Sequence, residues 1–316
     1  MQDLEKQRDA SRLKAQAARW ALASDATLLL LKGMVAFATG SIGVLAEVVN
    51  SAGDLMGAFI VYLSVRASEL PPDETHAYGH GKIENLSGAA TASLIITGGA
   101  YAGFQAVMHL IHPEMLPNQI IGLAVMAFSA ILNFLVSSHL LKVARLTDSP
   151  ALEADGHHLR TDVYTSVGVL VGLLLSWATH NPRWDAVAAL LVSLLILKVG
   201  YELALSAVMT LSDHSLPPNE EKMLTDILRA HPAVLSFHRL RTRKSGSQRH
   251  ADVHVQIADS HTFVEAHRLT EDIEDQMRMA LPNLDPVIHM EPHDDELAHQ
   301  LEQHAAEISR YRGRNS

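Results

Sequence analysis

Two short stretches of the chain carry acidic, amide and imidazole groups at a spacing of four. One reads Ala46-Glu47-Val48-Val49-Asn50-Ser51-Ala52-Gly53-Asp54 and the other His158-Leu159-Arg160-Thr161-Asp162. On a helix, residues four apart stack on one face, a turn from each other. Asn50 with Asp54, and His158 with Asp162, therefore form two donor pairs. Together they offer four ligands to one ion, the coordination number that zinc prefers. The chain has no cysteine, which excludes disulfides and thiolate ligation, so any metal must be held by histidine, carboxylate or amide groups. A third group, Asp73, His76 and His80, puts one carboxylate and two imidazoles on a short glycine-containing segment. That is enough for a second, weaker site.

Both paired stretches fall inside long apolar runs. Six such runs, near 20–40, 42–65, 86–111, 118–142, 154–179 and 185–210, reach the roughly 20 residues that a helix needs to cross a bilayer. An ionisable group near the centre of a spanning helix costs about 2.5–3.5 kcal/mol on insertion scales. Two acids and a histidine in matched pairs thus point to an ion path, the plainer alternative being hydrogen bonds between packed helices. Asp155 shares the broad face of His158 and Asp162 and is expected at the cytoplasmic mouth. Lys32, deep in the first run, either snorkels or pairs with an acid. Glu47, on the face of Asn50 and Asp54, reads equally as a release-side acid or as a partner of Lys32.

Basic residues set the orientation. Lys6, Arg8, Arg12, Lys14 and Arg19 precede the first span, Arg66 and Lys82 lie between the second and third, and Lys142, Arg145 and Arg160 lie near the fourth connection. The alternate connections offer only Arg183. Residues 1–19 are expected as a cytoplasmic segment without a cleavable signal pattern, and 20–213 as a six-helix domain with both termini cytoplasmic.

From residue 214 the composition becomes that of a soluble domain. Leu216-Pro217-Pro218 interrupts the chain, and a helix is expected near 218–230. Strands are expected at 234–243 and 249–258 around the turn Lys244-Ser245-Gly246-Ser247. In the second strand Ala251, Val253, Val255 and Ile257 alternate with Asp252, His254 and Gln256. A helix near 262–280 and a strand at 286–291 complete an α-β-β-α-β order, a small α+β layer over 214–292. His231, His250, His261, His293, His299 and His304 read as mostly solvated surface. The charged tail, 293–316, lacks apolar periodicity and is expected to be disordered.

The net charge of −10 argues against a nucleic-acid partner and suits the handling of cations. No His-Glu-x-x-His pair and no serine nucleophile motif occurs, so an intramembrane enzyme is disfavoured and a secondary transporter is expected. The rival reading is a membrane-anchored metal sensor or binding protein that transports nothing.

The run Tyr78-Gly79-His80-Gly81-Lys82-Ile83-Glu84 resembles the signature of the cation diffusion facilitator family of metal transporters. With the two paired motifs, six spans and a C-terminal α+β domain, the resemblance covers roughly residues 20–292 and is nearest to the bacterial zinc/iron exporter branch. It implies a membrane α-helical bundle of six transmembrane helices plus a cytoplasmic, metallochaperone-like α+β domain. It further implies a homodimer in the bacterial inner membrane that exports divalent metal (zinc, iron(II) or manganese) in exchange for protons by alternating access. The transport site it implies maps onto Asn50, Asp54, His158 and Asp162. Asn50 departs from the family's acid there, leaving an amide oxygen in place of a carboxylate and favouring harder ions. The resemblance also implies a loop site at Asp73, His76 and His80. It implies a two-metal cytoplasmic site at His238, His254, His267, His289 and Glu291, with Glu291 in the place of a bridging aspartate. It implies a charge interlock of Lys82 with Asp213 between protomers. Zinc is the ion expected in these sites.

Overall fold

A computed structural model describes residues 2–39, 42–112, 120–179, 181 and 183–294. The side chains of Glu47 and Asn50, and the tail beyond residue 294 with its expected disorder, lie outside the described residues. The chain divides into two compact units, Met1–Leu211 and Ser212–Ser316.

The first unit comprises α1 (Gln2–Thr39), α2 (Ile42–Ser68), α3 (Lys82–Ile111), α4 (Ile120–Thr147), α5 (Pro150–Thr179) and α6 (Arg183–Leu211). Among the described residues, four of these are long and apolar enough to cross a membrane on their own composition, within Asp9–Ala38, Lys82–Ile111, Ala127–Thr147 and Ala186–Leu211. The other two, α2 and α5, are the helices that carry the paired polar residues. Large apolar side chains point outward along the bundle, Phe37, Leu30, Met34, Leu191 and Tyr201 among them. That is the surface a lipid-facing helix needs, because its backbone is already satisfied internally.

The segment 1–19, expected as a cytoplasmic start before the first span, is continuous with that span in one helix, residues 2–19 forming the first half of α1. Ala17, Ala18 and Ala21 are buried against Val61, Val65, Leu140 and Leu152. Lys14 is buried as well, its Nζ 2.7 Å from Glu69 and 3.0 Å from Glu84. Glu84 also accepts hydrogen bonds from Ser68 at 2.8 Å and from Ser149. These bonds dock the polar turns of α1 onto the ends of α2 and α3, which is why the helix does not stop at the polar boundary.

Helix ends and close approaches follow local chemistry. Between α4 and α5, Asp148 takes a left-handed φ of 57°, a conformation that short polar side chains tolerate. Ser149 then caps the amide of Leu152, and Pro150 occupies the first helical position. α3 and α6 approach closely through Gly99 and Gly200. A Cβ at Gly99 would lie 2.9 Å from Ile196 Cγ2, and one at Gly200 2.8 Å from Ile96 Cγ1.

The second unit follows the expected α-β-β-α-β order: α7 (Pro218–Ala230), β1 (Ser236–Ser245), β2 (Gln248–Ile257), α8 (Phe263–Ala280) and β3 (Leu284–Pro292). The three strands lie in the order β1-β2-β3, with β1 antiparallel and β3 parallel to β2. Gly246, at φ 59°, makes the two-residue turn between β1 and β2. The alternation in β2 sends Ala251, Val253, Val255 and Ile257 into a core with Leu224, Leu228, Ile273 and Met277 from the two helices. α8 opens with a capping box, in which Thr262 and Glu265 each bond the other's backbone amide. Those bonds, the backbone amide of Thr262 first and its hydroxyl second, hold the Glu265 carboxyl below its ordinary pKa.

Candidate metal centres

α2 brings Asp54, and α5 brings His158 and Asp162, to one point between the helices. His158 Nε2 lies 3.3 Å from Asp54 Oδ1, and ligand atoms of all three residues fall within 4.8 Å of one another. The four-residue spacing explains the convergence, since it lays His158 and Asp162 along one strip of α5 facing Asp54. Asn50 sits one turn before Asp54 on α2, and its side chain lies outside the described residues. The three described residues line a cavity of about 520 Å³ inside the first unit.

Two more charged groups line that cavity. Lys32, 5 % exposed, donates to Ser51 Oγ at 2.9 Å, so a hydroxyl answers the question of its partner in part. Asp25, on α1 and 3 % exposed, is a residue that sequence reasoning missed. It has no neighbour at a spacing of four to flag it. The available signal was Lys32, seven residues on and therefore two turns along the same face. Asp155, expected at the cytoplasmic mouth, is buried at 2 % exposure and does not line the cavity.

The loop between α2 and α3 gathers Asp73, His76 and His80. Asp73 Oδ1 lies 3.3 Å from His76 Nδ1, Asp73 Oδ2 lies 3.3 Å from His80 Nε2, and the imidazole centroids are 4.4 Å apart. Asp73 accepts from the Thr75 hydroxyl at 2.8 Å and from the amides of Thr75 and His76 at 2.9 and 2.7 Å. These bonds, the hydroxyl first, pull its carboxyl far below the usual carboxylate range. The carboxylate is therefore ionised and fixed in place before any cation arrives. Gly79, at φ 77°, permits the turn that returns His80 to Asp73.

In the second unit, strand register does what helix spacing does in the first. His238 pairs with His254 across β1 and β2, and His254 pairs with His289 across β2 and β3. The three imidazoles thus form a row, with successive centroids 5.1 and 4.8 Å apart. Glu291, two residues past His289, reaches back under the row. Its Oε1 is 2.5 Å from His254 Nδ1 and its Oε2 3.5 Å from His238 Nε2. Burial works against ionisation of Glu291, but the His254 hydrogen bond and His238 outweigh it, and its pKa is lowered. Glu291 Oε2 is buried without a hydrogen bond among the described residues, and His238, His254 and Glu291 converge within 4.8 Å, a donor set that fits a divalent cation.

Two of the five residues expected at this site stand apart. His289 lies at the edge, its Nε2 3.9 Å from Glu291. Within one protomer His267 does not join the cluster. It is exposed on α8 and lies 3.7 Å from Glu271, because α8 covers the opposite, apolar face of the sheet. Nor are all the remaining histidines solvated. His231 is 7 % exposed and hydrogen-bonds Asp272 at 3.1 Å. His250 is 9 % exposed, and its pKa is pushed down by burial first and by Arg243 second. Asp213, at φ 56°, lies 3.5 Å from Arg243 of its own unit, and Lys82 is the first residue of α3.

Comparison with known proteins gives the arrangement a family. Residues 18–212 match the cation efflux transmembrane domain, and residues 216–293 match the cytoplasmic domain of cation efflux proteins. The cation-efflux pump FieF of Cronobacter sakazakii is 33 % identical over 284 residues, covering 90 % of this chain and 94 % of that protein. FieF of Serratia proteamaculans is 35 % identical over 286 residues, covering 89 % and 94 %. Among solved structures, the metal-bound C-terminal domain of the CzcD transporter from Thermotoga maritima matches at 26 % identity, over 24 % of this chain and 94 % of that one, with a TM-score of 0.23. With both halves matched and full-length relatives aligned over nine-tenths of its length, the chain belongs to the cation efflux family, the cation diffusion facilitators, and is a membrane transporter of cations.

Proposed function

We propose that the protein exports a divalent transition-metal ion from the cytoplasm, and that Asp54, His158 and Asp162, with Asn50, hold the ion in transit. The observation that carries this reading is the meeting of two acids and one imidazole, from two different helices, in a cavity inside the membrane unit. Such groups are costly in lipid and mark ion paths. A mixed imidazole and oxygen donor set accepts zinc, iron(II) or manganese, and zinc is the ion expected to be bound. The relatives described as cation-efflux pumps support the direction of transport.

The cycle follows from ligand chemistry. The metal displaces protons from its ligands as it binds, so loading is linked to pH. His158 is the natural carrier, since an unperturbed imidazole changes charge near neutrality. Inward proton flow would drive the metal out as the bundle alternates between its two openings. The working unit is a homodimer in the bacterial inner membrane with both termini cytoplasmic. The loop cluster and the sheet cluster bind further ions, and Lys82 with Asp213 forms a charge interlock between protomers.

Zinc flux into proteoliposomes under a pH gradient tests the reading. Asp54→Ala should abolish flux and leave the reconstituted dimer intact. Flux that survives the change sinks the site assignment, and flux indifferent to the pH gradient sinks proton exchange. Competition among zinc, iron(II), manganese, cobalt and cadmium, repeated on Asn50→Asp, identifies the preferred ion.

A further inference from the structure

We propose that Asn133 and Ser129 on α4, with Thr165 and Ser166 on α5, form a second, uncharged station for the divalent ion in the cavity. There the ion pauses and takes up water after it leaves Asp54, His158 and Asp162. The inference rests on the transport reading given to that cluster. The oxygen-bearing residues of the station line the same cavity as the cluster does. The register of α4 against α5 places them. Arg160 donates to Ser138 Oγ at 3.0 Å, and a Cβ at Gly156 would lie 2.8 Å from Leu141 Cγ, so the two helices run antiparallel in close contact. Asn133 lies a little over one turn before Ser138, which brings it level with Thr165 and Ser166, the turn after Asp162. Ser129 follows one turn farther along the same strip of α4. On the proposed orientation α5 runs outward, and the station lies on the release side of the cluster.

What these side chains share is oxygen lone pairs without charge. Thr165 donates its hydroxyl proton to the Thr161 carbonyl at 3.0 Å, and Ser166 donates its own to the Asp162 carbonyl at 2.9 Å. Their oxygens are left to accept. Asn133 Oδ1 and Ser129 Oγ have no hydrogen-bond partner among the described residues, although Asn133 is 7 % and Ser129 6 % exposed. A buried acceptor without a partner is costly to keep. The plainer reading, polar groups that only bond packed helices to one another, would have left those two oxygens bonded across an interface. Water on a divalent ion is a strong donor. A strip of neutral acceptors takes its hydrogens without gripping the ion as a carboxylate would. An ion path needs a step of that kind, favourable to enter and weak enough to leave.

The test removes or charges one oxygen at a time. Full-length wild type, Asn133→Leu, Asn133→Gln, Asn133→Asp and Ser129→Ala are reconstituted, and zinc flux is measured against zinc concentration. Asp25 and Lys32, which also line the cavity, are kept in every variant. Asn133→Leu, close in size but without the oxygen, should lower maximal flux about tenfold, the scale of one or two lost hydrogen bonds. Its half-saturating zinc concentration should not rise, because loading at the cluster is untouched. Asn133→Gln keeps the amide and should stay within about threefold of wild type. Asn133→Asp should also lower maximal flux, but by holding the ion, so its half-saturating concentration should fall about tenfold. A merely structural role would not tighten the aspartate variant while leaving the leucine variant's loading unchanged. The proposal is overturned if Asn133→Leu keeps wild-type maximal flux or raises the half-saturating concentration. It is overturned equally if Asn133→Gln is as slow as Asn133→Leu, or if Asn133→Asp does not tighten. Should Asn133→Leu fail to reconstitute, Ser129→Ala decides alone, unchanged maximal flux counting against the proposal. Asp54→Ala runs in parallel. Loss of flux there beside a wild-type Asn133→Leu removes this inference only, whereas persistent flux in Asp54→Ala removes the transport reading beneath it.

Discussion

The membrane cluster and the sheet cluster use almost the same chemistry and reach it by opposite routes. In the first unit Asp54, His158 and Asp162 meet because two helices each present one strip of their surface to the other. In the second, His238, His254 and Glu291 meet because three strands hold a register that joins residues far apart in sequence. A helix cluster inherits its geometry from local spacing and changes when helices tilt. A sheet cluster is fixed by backbone hydrogen bonds and persists as long as the sheet does. Similar ligands are thus mounted once on elements that can slide and once on a frame that cannot, which suits the proposed transit in one place and retention in the other.

Five changes would break or sharpen this contrast. The largest effect is expected from Asp162→Ala, which should cut zinc flux by more than about 100-fold, given the cost of an incomplete donor set, while zinc binding by the second unit is unchanged. Equal losses in both would mean that the clusters are not separate. Glu291→Ala should weaken zinc binding at the sheet cluster by at least about tenfold and leave measurable flux. Abolished flux would make the sheet cluster part of the transport path.

Met277→Ala removes a side chain with no exposed surface from the core under the sheet. It should lower unfolding stability of the second unit by about 2–5 kcal/mol, read as a shifted denaturant midpoint, with the helical unit unaffected. The smallest effect is expected at the α8 cap. Thr262→Ala should cost about 1 kcal/mol. Glu265 has a lowered folded pKa, so its contribution is present above its unfolded value of 4.5 and fades as pH falls through the folded one. Glu265→Gln should erase that acid dependence, seen by comparing melting temperatures at neutral and acid pH.

The contrast also accounts for what could be read in the sequence. The order of elements in the second unit was visible because β2 alternates so cleanly and Pro217, Pro218 and Gly246 mark its breaks. The meeting of His158 and Asp162 with Asp54 was foreshadowed because a spacing of four is a local property. Asp25 was not, since a lone acid in an apolar run has no local partner and its relation to Asp54 exists only once α1 packs beside α2. His267 was expected at the sheet cluster from resemblance alone. Its distance from the cluster within one protomer depends on which sheet face α8 covers, a fact that no short window of sequence contains. Lys14 could be read only as one of the basic residues before the first span, because the two acids it meets come from elsewhere in the chain.

That lysine has a mechanical corollary. Glu69 opens the loop that carries Asp73, His76 and His80, and Glu84 lies just past its close, and one ammonium on α1 grips both. The segment between them is therefore an eyelet threaded onto a single post. However freely its tip moves, its feet follow α1, and any rocking of that helix carries the three ligands along as a group.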